Sequence, residues 1–204
     1  MARFAQLAFT PAVKAMQEQM GSRRSYARHE GSGAELDALG PDEIAFLAER
    51  DSFYMASVTS TGWPYIQHRG GPKGFLHALD AHKLAFADYK GNRQYISVGN
   101  LTTNDRVALF FMDYPHRARL KMLAHAVVHT RAEAPELFEK VAAPPSAERV
   151  FTLKIEGFDW NCPQHITPRF TEEKVRALAA PLLDEVAALR SENADLRAKL
   201  AQRP

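Results

Sequence analysis

Five consecutive residues, Lys90-Gly91-Asn92-Arg93-Gln94, carry the plainest chemistry in this chain. They follow an apolar run at residues 84–89 and precede a short helical pattern at 96–101. A glycine turn, a guanidinium, an amide and the free N–H groups of a helix start together make a cradle for phosphate. The pattern therefore points to a phosphorylated cofactor, with Arg93 as its first ligand and Asn92 and Gln94 beside it.

Other reactive side chains are weaker candidates. Cys162 has one histidine nearby, His165, and two ligands fall short of the three or four that zinc takes. His125 and His129 would share a face on a helix. In a strand they stand about 13 Å apart, which reads as sheet surface rather than a metal site.

The elements that must position this loop read mainly as strands. Candidate strands lie at 53–59, 65–69, 75–79, 84–89, 106–113, 119–128 and 150–158, with Ser60-Thr61-Gly62 as a turn after the first. Six or seven antiparallel strands at short spacing, with few helices between them, favour a barrel. Thr10-Pro11 reads as an N-cap and first helical residue, with Val13, Met16 and Met20 at helical spacing and Gly21 as the stop. Residues 22–40 read as a polar arm, and Pro41-Asp42-Glu43 opens another helix. Three regions follow: an N-terminal helix and arm at 1–40, a β-domain at 41–170, and a helical tail at 171–204.

In the tail, Val175, Leu182, Leu189 and Leu196 fit heptad position d, and Ala179, Val186, Asn193 and Leu200 fit position a. Glu185 and Glu192 then fall at g, and Arg190 and Arg197 at e, as in a parallel two-stranded coil. Pro181 is expected to interrupt any helix begun at Thr171, so the coil reading starts after it. The alternative is a single amphipathic helix packed on its own domain.

Bulk composition narrows the class. The 204 residues hold 46% hydrophobic and 25% charged side chains, ordinary values for a globular domain. Lys and Arg total 26 against 24 acidic residues, a net charge of +2, too balanced to favour nucleic acid or an anionic membrane. One cysteine excludes an intrachain disulfide and fits a reducing compartment. The first residues lack the pattern of a secretory signal, and no run is long and apolar enough to span a bilayer. A cytoplasmic protein is the expectation.

Three blocks resemble the pyridoxamine 5′-phosphate oxidase-like flavoproteins, the FMN-binding split-barrel group. They are Gly62-Trp63-Pro64-Tyr65-Ile66-Gln67-His68-Arg69; Phe86-Ala87-Asp88-Tyr89-Lys90-Gly91-Asn92-Arg93-Gln94 with Asn100 and Arg106-Val107; and Trp160 with Arg169-Phe170. The resemblance covers about residues 42–170. It implies a mainly β fold, a six-stranded antiparallel split β-barrel with flanking helices. It also implies a homodimer holding FMN in two clefts at the subunit interface, with an electron donor such as NAD(P)H and an unknown acceptor. By the same resemblance Gln67, His68, Arg69 and Gly70 line the flavin, with Asp88 on the following strand. Asn92, Arg93 and Gln94 take the phosphate, and Arg119, Trp160 and Arg169 approach the ring. Positive charge from Arg69 or Arg119 near the ring would raise its reduction potential.

The sequence departs from the oxidases themselves at two points. Pro72 stands where they carry a lysine at the end of the flavin-lining strand, with Lys73 one residue late. Gln164-His165-Ile166-Thr167-Pro168 lacks the arginine of their substrate-gripping Arg-x-His pair. The reading is therefore an FMN-dependent oxidoreductase that keeps the flavin site and has lost the vitamin B6 phosphate site. Two rivals stand beside it: a haem-binding or haem-degrading barrel with a histidine ligand, and a non-enzymatic flavin-binding dimer.

Overall fold

Along residues 53–58 the side chains alternate: Phe53, Met55 and Ser57 are buried, and Tyr54, Ala56 and Val58 face outward. This period of two is the signature of a strand with one buried face, and it recurs through the middle of the chain. The computed structural model describes residues 2–31, 35–160 and 163–202.

Seven strands form one antiparallel sheet: β1 (Ser52–Val58), β2 (Pro64–Gly70), β3 (Leu76–Asp80), β4 (Lys83–Tyr89), β5 (Arg106–Asp113), β6 (Ala118–Thr130) and β7 (Ala147–Trp160). Their order is β2-β1-β5-β6-β7-β4-β3, so β2 and β3 are the two edges of an open sheet. Seven replaces the expected six. The short β3 pairs with β4 from Leu76↔Phe86 to Asp80↔Lys83 and sends Leu76 into the core, so it is a full member.

The sheet curls on itself. Phe53 of β1 meets Phe86 of β4 edge-to-face with ring centroids 5.3 Å apart, although three strands separate them in the hydrogen-bonded order. Phe111, Leu120, Met122, Phe151, Leu153 and Ile155 fill the same interior and are almost wholly buried. Apolar burial of this extent is the main stabilising term. Backbone pairing does not join the sheet's two ends. Side chains bridge them instead, through Arg69 of β2 and Asp88 of β4.

Helices flank the sheet. They are α1 (Ala2–Ala8), α2 (Pro11–Gln19), α3 (Arg23–Tyr26), α4 (Pro41–Ala48), α5 (Ile96–Leu101), α6 (Pro135–Lys140) and α7 (Glu172–Ala201). Thr10 caps α2 by accepting from the Val13 N–H, and Gly21, at φ +74°, follows the helix end in the left-handed region. In α4, Glu43 accepts from the Gly40 N–H at 2.9 Å.

The first turns hold a helix the sequence reading did not anticipate. α1 lies on β7 at Gly157, where a Cβ would come within 2.5 Å of the Phe4 nitrogen. Asp37 fixes α1 there, accepting from the backbone N–H groups of Arg3, Phe4 and Phe158 at 3.3, 3.2 and 3.1 Å.

Pro181 does not stop the last helix, contrary to expectation. α7 runs unbroken from a Thr171 N-cap through Pro181 to Ala201, and none of its residues is buried. The carbonyl left without a partner by the proline has access to water on this exposed helix, which keeps the interruption cheap. Among the described residues no helix is long and apolar enough to cross a membrane.

Candidate functional site

Strand alternation divides the run Gln67-His68-Arg69-Gly70. Gln67 and Arg69 point to the inner side of β2, while His68 points outward and meets the Tyr54 ring edge-to-face at 5.6 Å. One strand therefore contributes to two surfaces.

On the inner side, Arg69 Nη1 donates to Asp88 Oδ1 at 2.5 Å. Its guanidinium also lies over the rings of Phe151 and Phe86, at 5.1 and 5.8 Å. Asp88 Oδ2 is 3.6 Å from Arg149 Nη1, and Arg149 lies over the Tyr95 ring at 4.7 Å. Burial dominates the electrostatics of the pair. It pushes the Asp88 carboxyl above its ordinary range against the opposing pull of Arg69 and Arg149, and it lowers the Arg69 guanidinium despite Asp88.

The register of β4 on β7 slips between Asp88 and Tyr89, just before the loop that carries Asn92 and Arg93. Arg93 and Tyr95 both adopt left-handed backbone, at φ 60° and 52°. Two non-glycine residues in that region within three positions store strain of the kind that gathers at ligand sites. Asn92 Oδ1 accepts from the Gln94 N–H at 3.2 Å, and Asn92 Nδ2 donates to Gln94 Oε1 at 3.1 Å. Arg93 Nε donates to the Tyr95 hydroxyl at 3.2 Å, and that hydrogen bond lowers the phenol's pKa. Tyr95 then opens α5 with no side-chain cap. Buried Ser97, on the first turn, donates to Gln67 Oε1 at 2.9 Å and ties the helix to β2.

These residues enclose one small cavity of about 50 Å³ lined by Gln67, Arg69, Asp88, Asn92, Arg93, Tyr95, Ser97 and Arg149. Its three guanidinium groups and one carboxylate sum to +2 (three minus one). A neighbouring hollow of about 130 Å³ shares Arg69 and Asp88 and is walled by His68, Gly70, Phe75 and Phe86. Arg69 lines both hollows, and its Nε is buried with no hydrogen-bond partner among the described residues.

Arg119 and Arg169 are elsewhere. They line a second cavity of about 460 Å³, with Tyr54, Ile66, Phe110, Met112 and His165, on the outward face of β2, β1 and β5. Arg169 lies over the Tyr114 ring at 4.9 Å, and Arg119 Nε is also buried without a partner. Trp160 lines neither cavity. Its indole N–H donates to Glu43 Oε1 at 2.7 Å, and its ring packs edge-to-face on Phe46 at 4.7 Å. The structure thus gathers Gln67, His68, Arg69, Gly70, Asp88, Asn92 and Arg93 around one pair of hollows, puts Arg119 and Arg169 at another, and places Trp160 in the body of the fold. Gln94 braces Asn92 without lining the cavity.

Arg149, Tyr95 and Ser97 belong to the first cavity and were not anticipated. Arg149 arrives through the pairing Asp88↔Arg149 between β4 and β7, a long-range register with no local signal. The weaker metal candidates have other engagements. His125 is paired with Asp105 at 2.9 Å, and His129 with Thr152 at 2.9 Å. Among the described residues no group of three His, Cys, Asp or Glu side chains could hold a metal ion. Cys162 lies outside the described residues.

Comparison with known proteins gives the following. No curated protein matches the sequence. Among solved structures, HupZ of Group A Streptococcus is 14% identical, with 65% of this chain and 100% of that one covered and a TM-score of 0.47. A Clostridium acetobutylicum protein related to general stress protein 26 of B. subtilis, of the pyridoxinephosphate oxidase family, is 14% identical over 66% of this chain and 94% of that one, with a TM-score of 0.43. HutZ, the heme storage protein from Vibrio cholerae, is 17% identical over 60% and 94%, with a TM-score of 0.40. The sequence model of the pyridoxamine 5′-phosphate oxidase family matches residues 41–160, a span from the start of α4 to the end of β7 that contains the whole sheet and the arginine-lined cavity. The chain belongs to the pyridoxamine 5′-phosphate oxidase family.

Proposed function

We propose that this chain is an FMN-binding flavoprotein of the split-barrel type, working as a homodimeric FMN-dependent oxidoreductase in the cytoplasm. The observation that carries the reading is the cavity of Arg69, Arg93, Arg149 and Asn92, with its net +2 and a buried guanidinium donor lacking a partner. A phosphomonoester near −2 matches that charge, and guanidinium forks suit its oxygens. The residues present therefore fit the group. Arg93, Asn92 and Arg149 would hold the phosphate, with Arg69 supplying a further donor, and the adjoining hollow would take the next part of the ligand. When bound, FMN accepts and returns a hydride.

The chain's own residues supply position and charge. Ser97 and Gln67 fix α5 against β2, and Asp88 orients Arg69. The outward face with Tyr54, Ile66 and Phe110 is apolar, and Ile66 is 64% exposed, which suits a second copy of the chain. A dimer over that face would place Arg119, Arg169 and His165 at the subunit boundary.

The test is the absorbance spectrum of the purified protein, followed by titration with FMN, riboflavin and inorganic phosphate. FMN binding that phosphate competes away, with riboflavin much weaker, is the expected result. A second reading rests on His165 in the larger cavity with two arginines, a set able to ligate haem iron and pair its carboxylates. A Soret band with no affinity for FMN would favour it and overturn the first.

A further inference from the structure

None of the described residues covers the apolar seam of α7. Leu182, Leu189, Leu196 and Leu200 are 63, 55, 51 and 63% exposed, on a helix of 30 residues with no buried side chain. Single exposed leucines are ordinary, but a continuous row along three turns or more marks a surface that something covers. We propose that α7 is one half of a parallel, two-stranded coiled coil whose other half is α7 of a second copy of this chain.

The occupant follows from charge and size along the seam. With leucine at d and Val186 at a, the core has the composition that favours two strands. In a parallel pair each g residue faces the e residue five positions on in its partner. Glu185 then meets Arg190 and Glu192 meets Arg197, opposite in sign at both steps, while Leu178 meets Leu183 above them. In an antiparallel pair g faces g and e faces e, which sets glutamate against glutamate and arginine against arginine. The same charges that close a parallel homodimer therefore oppose the antiparallel one. Asn193 acts in the same direction: at position a in register it meets its own copy and forms an amide pair, while a shift of one heptad buries it against Val186 or Leu200. The groove along this stretch is lined by Val186, Leu189, Arg190, Asn193 and Arg197, the a, d and e positions that a parallel partner would cover.

Pro181 is compatible with the arrangement. It falls at heptad position c, off the seam, and the helix continues through it. One geometric consequence is firm. A parallel two-stranded coil has its two-fold axis along its length. The two Thr171 N-caps then lie at one end, about 10 Å apart, and the segments bearing His165 and Arg169 descend from there side by side. Any two-fold pairing of the β-domains must share that axis.

The test uses the full-length chain with Cys162→Ser, so that introduced cysteines are the sole thiols. Leu196→Cys at d should form an interchain disulfide in high yield under mild oxidation, while Ala198→Cys at f should form little. A disulfide needs Cα atoms within about 7 Å. In an antiparallel seam centred between residues 175 and 200, position 196 would face 179, roughly 25 Å from its own copy. A charge arm follows in the Leu196→Cys background. Glu185→Arg with Glu192→Arg, and separately Arg190→Glu with Arg197→Glu, should each abolish the crosslink. An equimolar mixture of the two should restore it, as the dimer of unlike chains. No crosslink at 196, equal crosslinking at 196 and 198, or indifference to charge reversal would overturn the proposal. A seam that serves a different protein gives the first of these results. Flavin content does not enter the readout, so the outcome is independent of the proposed function.

Discussion

Arg69 and Asp88 join the two ends of the curled sheet, and replacing them one at a time and together separates architecture from function. Both side chains are only 11% exposed, and the Arg69 guanidinium also rests on two core rings. Removing one partner of a buried pair costs about 3–5 kcal/mol because a charge is left without compensation. Here Arg149 remains 3.6 Å from Asp88, so Arg69→Met should cost less, about 2–3 kcal/mol. Burial already pushes Asp88 up and Arg69 down, the mark of a pair whose desolvation outweighs its attraction. The double variant Arg69→Met/Asp88→Leu should therefore recover most of the loss and lie within about 1 kcal/mol of the parent. Flavin affinity should behave differently. Both variants lack the guanidinium donor facing the cavity and should bind FMN about 10- to 100-fold more weakly. Urea unfolding gives the first quantity, and quenching of FMN fluorescence gives the second. A double variant as unstable as Arg69→Met would refute the desolvation reasoning. A double variant that binds FMN like the parent would show that the pair serves only to close the sheet.

Arg93→Ala should weaken FMN binding about tenfold while leaving unfolding unchanged, since the side chain is exposed and among the described residues donates just to Tyr95; equal affinities by fluorescence titration would remove Arg93 from the phosphate site. Asp37→Asn should destabilise the fold by about 1–3 kcal/mol at neutral pH, because a single carbonyl oxygen replaces a carboxylate that accepts from three backbone N–H groups. Burial alone would raise the Asp37 carboxyl, but its hydrogen bonds, these three among them, hold it below its ordinary 3.8. Its contribution is therefore complete above pH 3.8 and lost as the pH falls through the lower folded value, so the parent and variant unfolding curves should converge in acid. Gly157→Ala should force α1 off β7, because the new methyl meets backbone of Phe4 rather than a movable side chain; hydrogen exchange of residues 3–8 should speed up by the equivalent of about 1–3 kcal/mol, and unchanged exchange would mean that α1 can shift without loss.

Most strands were legible because they carry a period of two, and β4 because Leu84-Ala85-Phe86 is a short apolar run, buried in succession; the loop after it was legible as a loop because glycine and asparagine stand together between a strand and a helix. The Thr10-Pro11 start and the Gly21 stop of α2 were legible for the same local reason: cap chemistry depends on residues a few positions apart. What was missed depends on distant pairings. Arg149 is 61 positions from Asp88 (149 minus 88) and reaches it only through the β4–β7 register. α1 is held by Asp37 and Gly157, neither of which has any local tie to residues 2–8. Along β2 the alternation turns the His68 side chain away from Gln67 and Arg69, as it must for neighbours on a strand, yet His68 still borders the hollow beside Arg69 and Gly70. Pro181 was read by its ordinary effect in a helix interior, and its place on a wholly exposed helix changes the balance.

That division along β2 has a mechanical consequence. β2 is an edge strand whose one neighbour in the described sheet is β1, and its inner side chains are held to β4 by Arg69–Asp88 and to α5 by Gln67–Ser97. Its outer side chains, Ile66 and His68, belong to the face proposed to meet a second copy. A phosphate ligand that engages Arg69 tightens β2 against β4 and α5 from within. A second subunit on the outer face restrains the same backbone from the other side. An edge strand held by neither has the fewest tethers of any strand beside the site, and each restraint reduces the entropy the other must still remove. Under the proposed function, cofactor binding and dimerisation would then be linked through one strand, each strengthening the other by the same factor, with no contact needed between the ligand and the partner subunit.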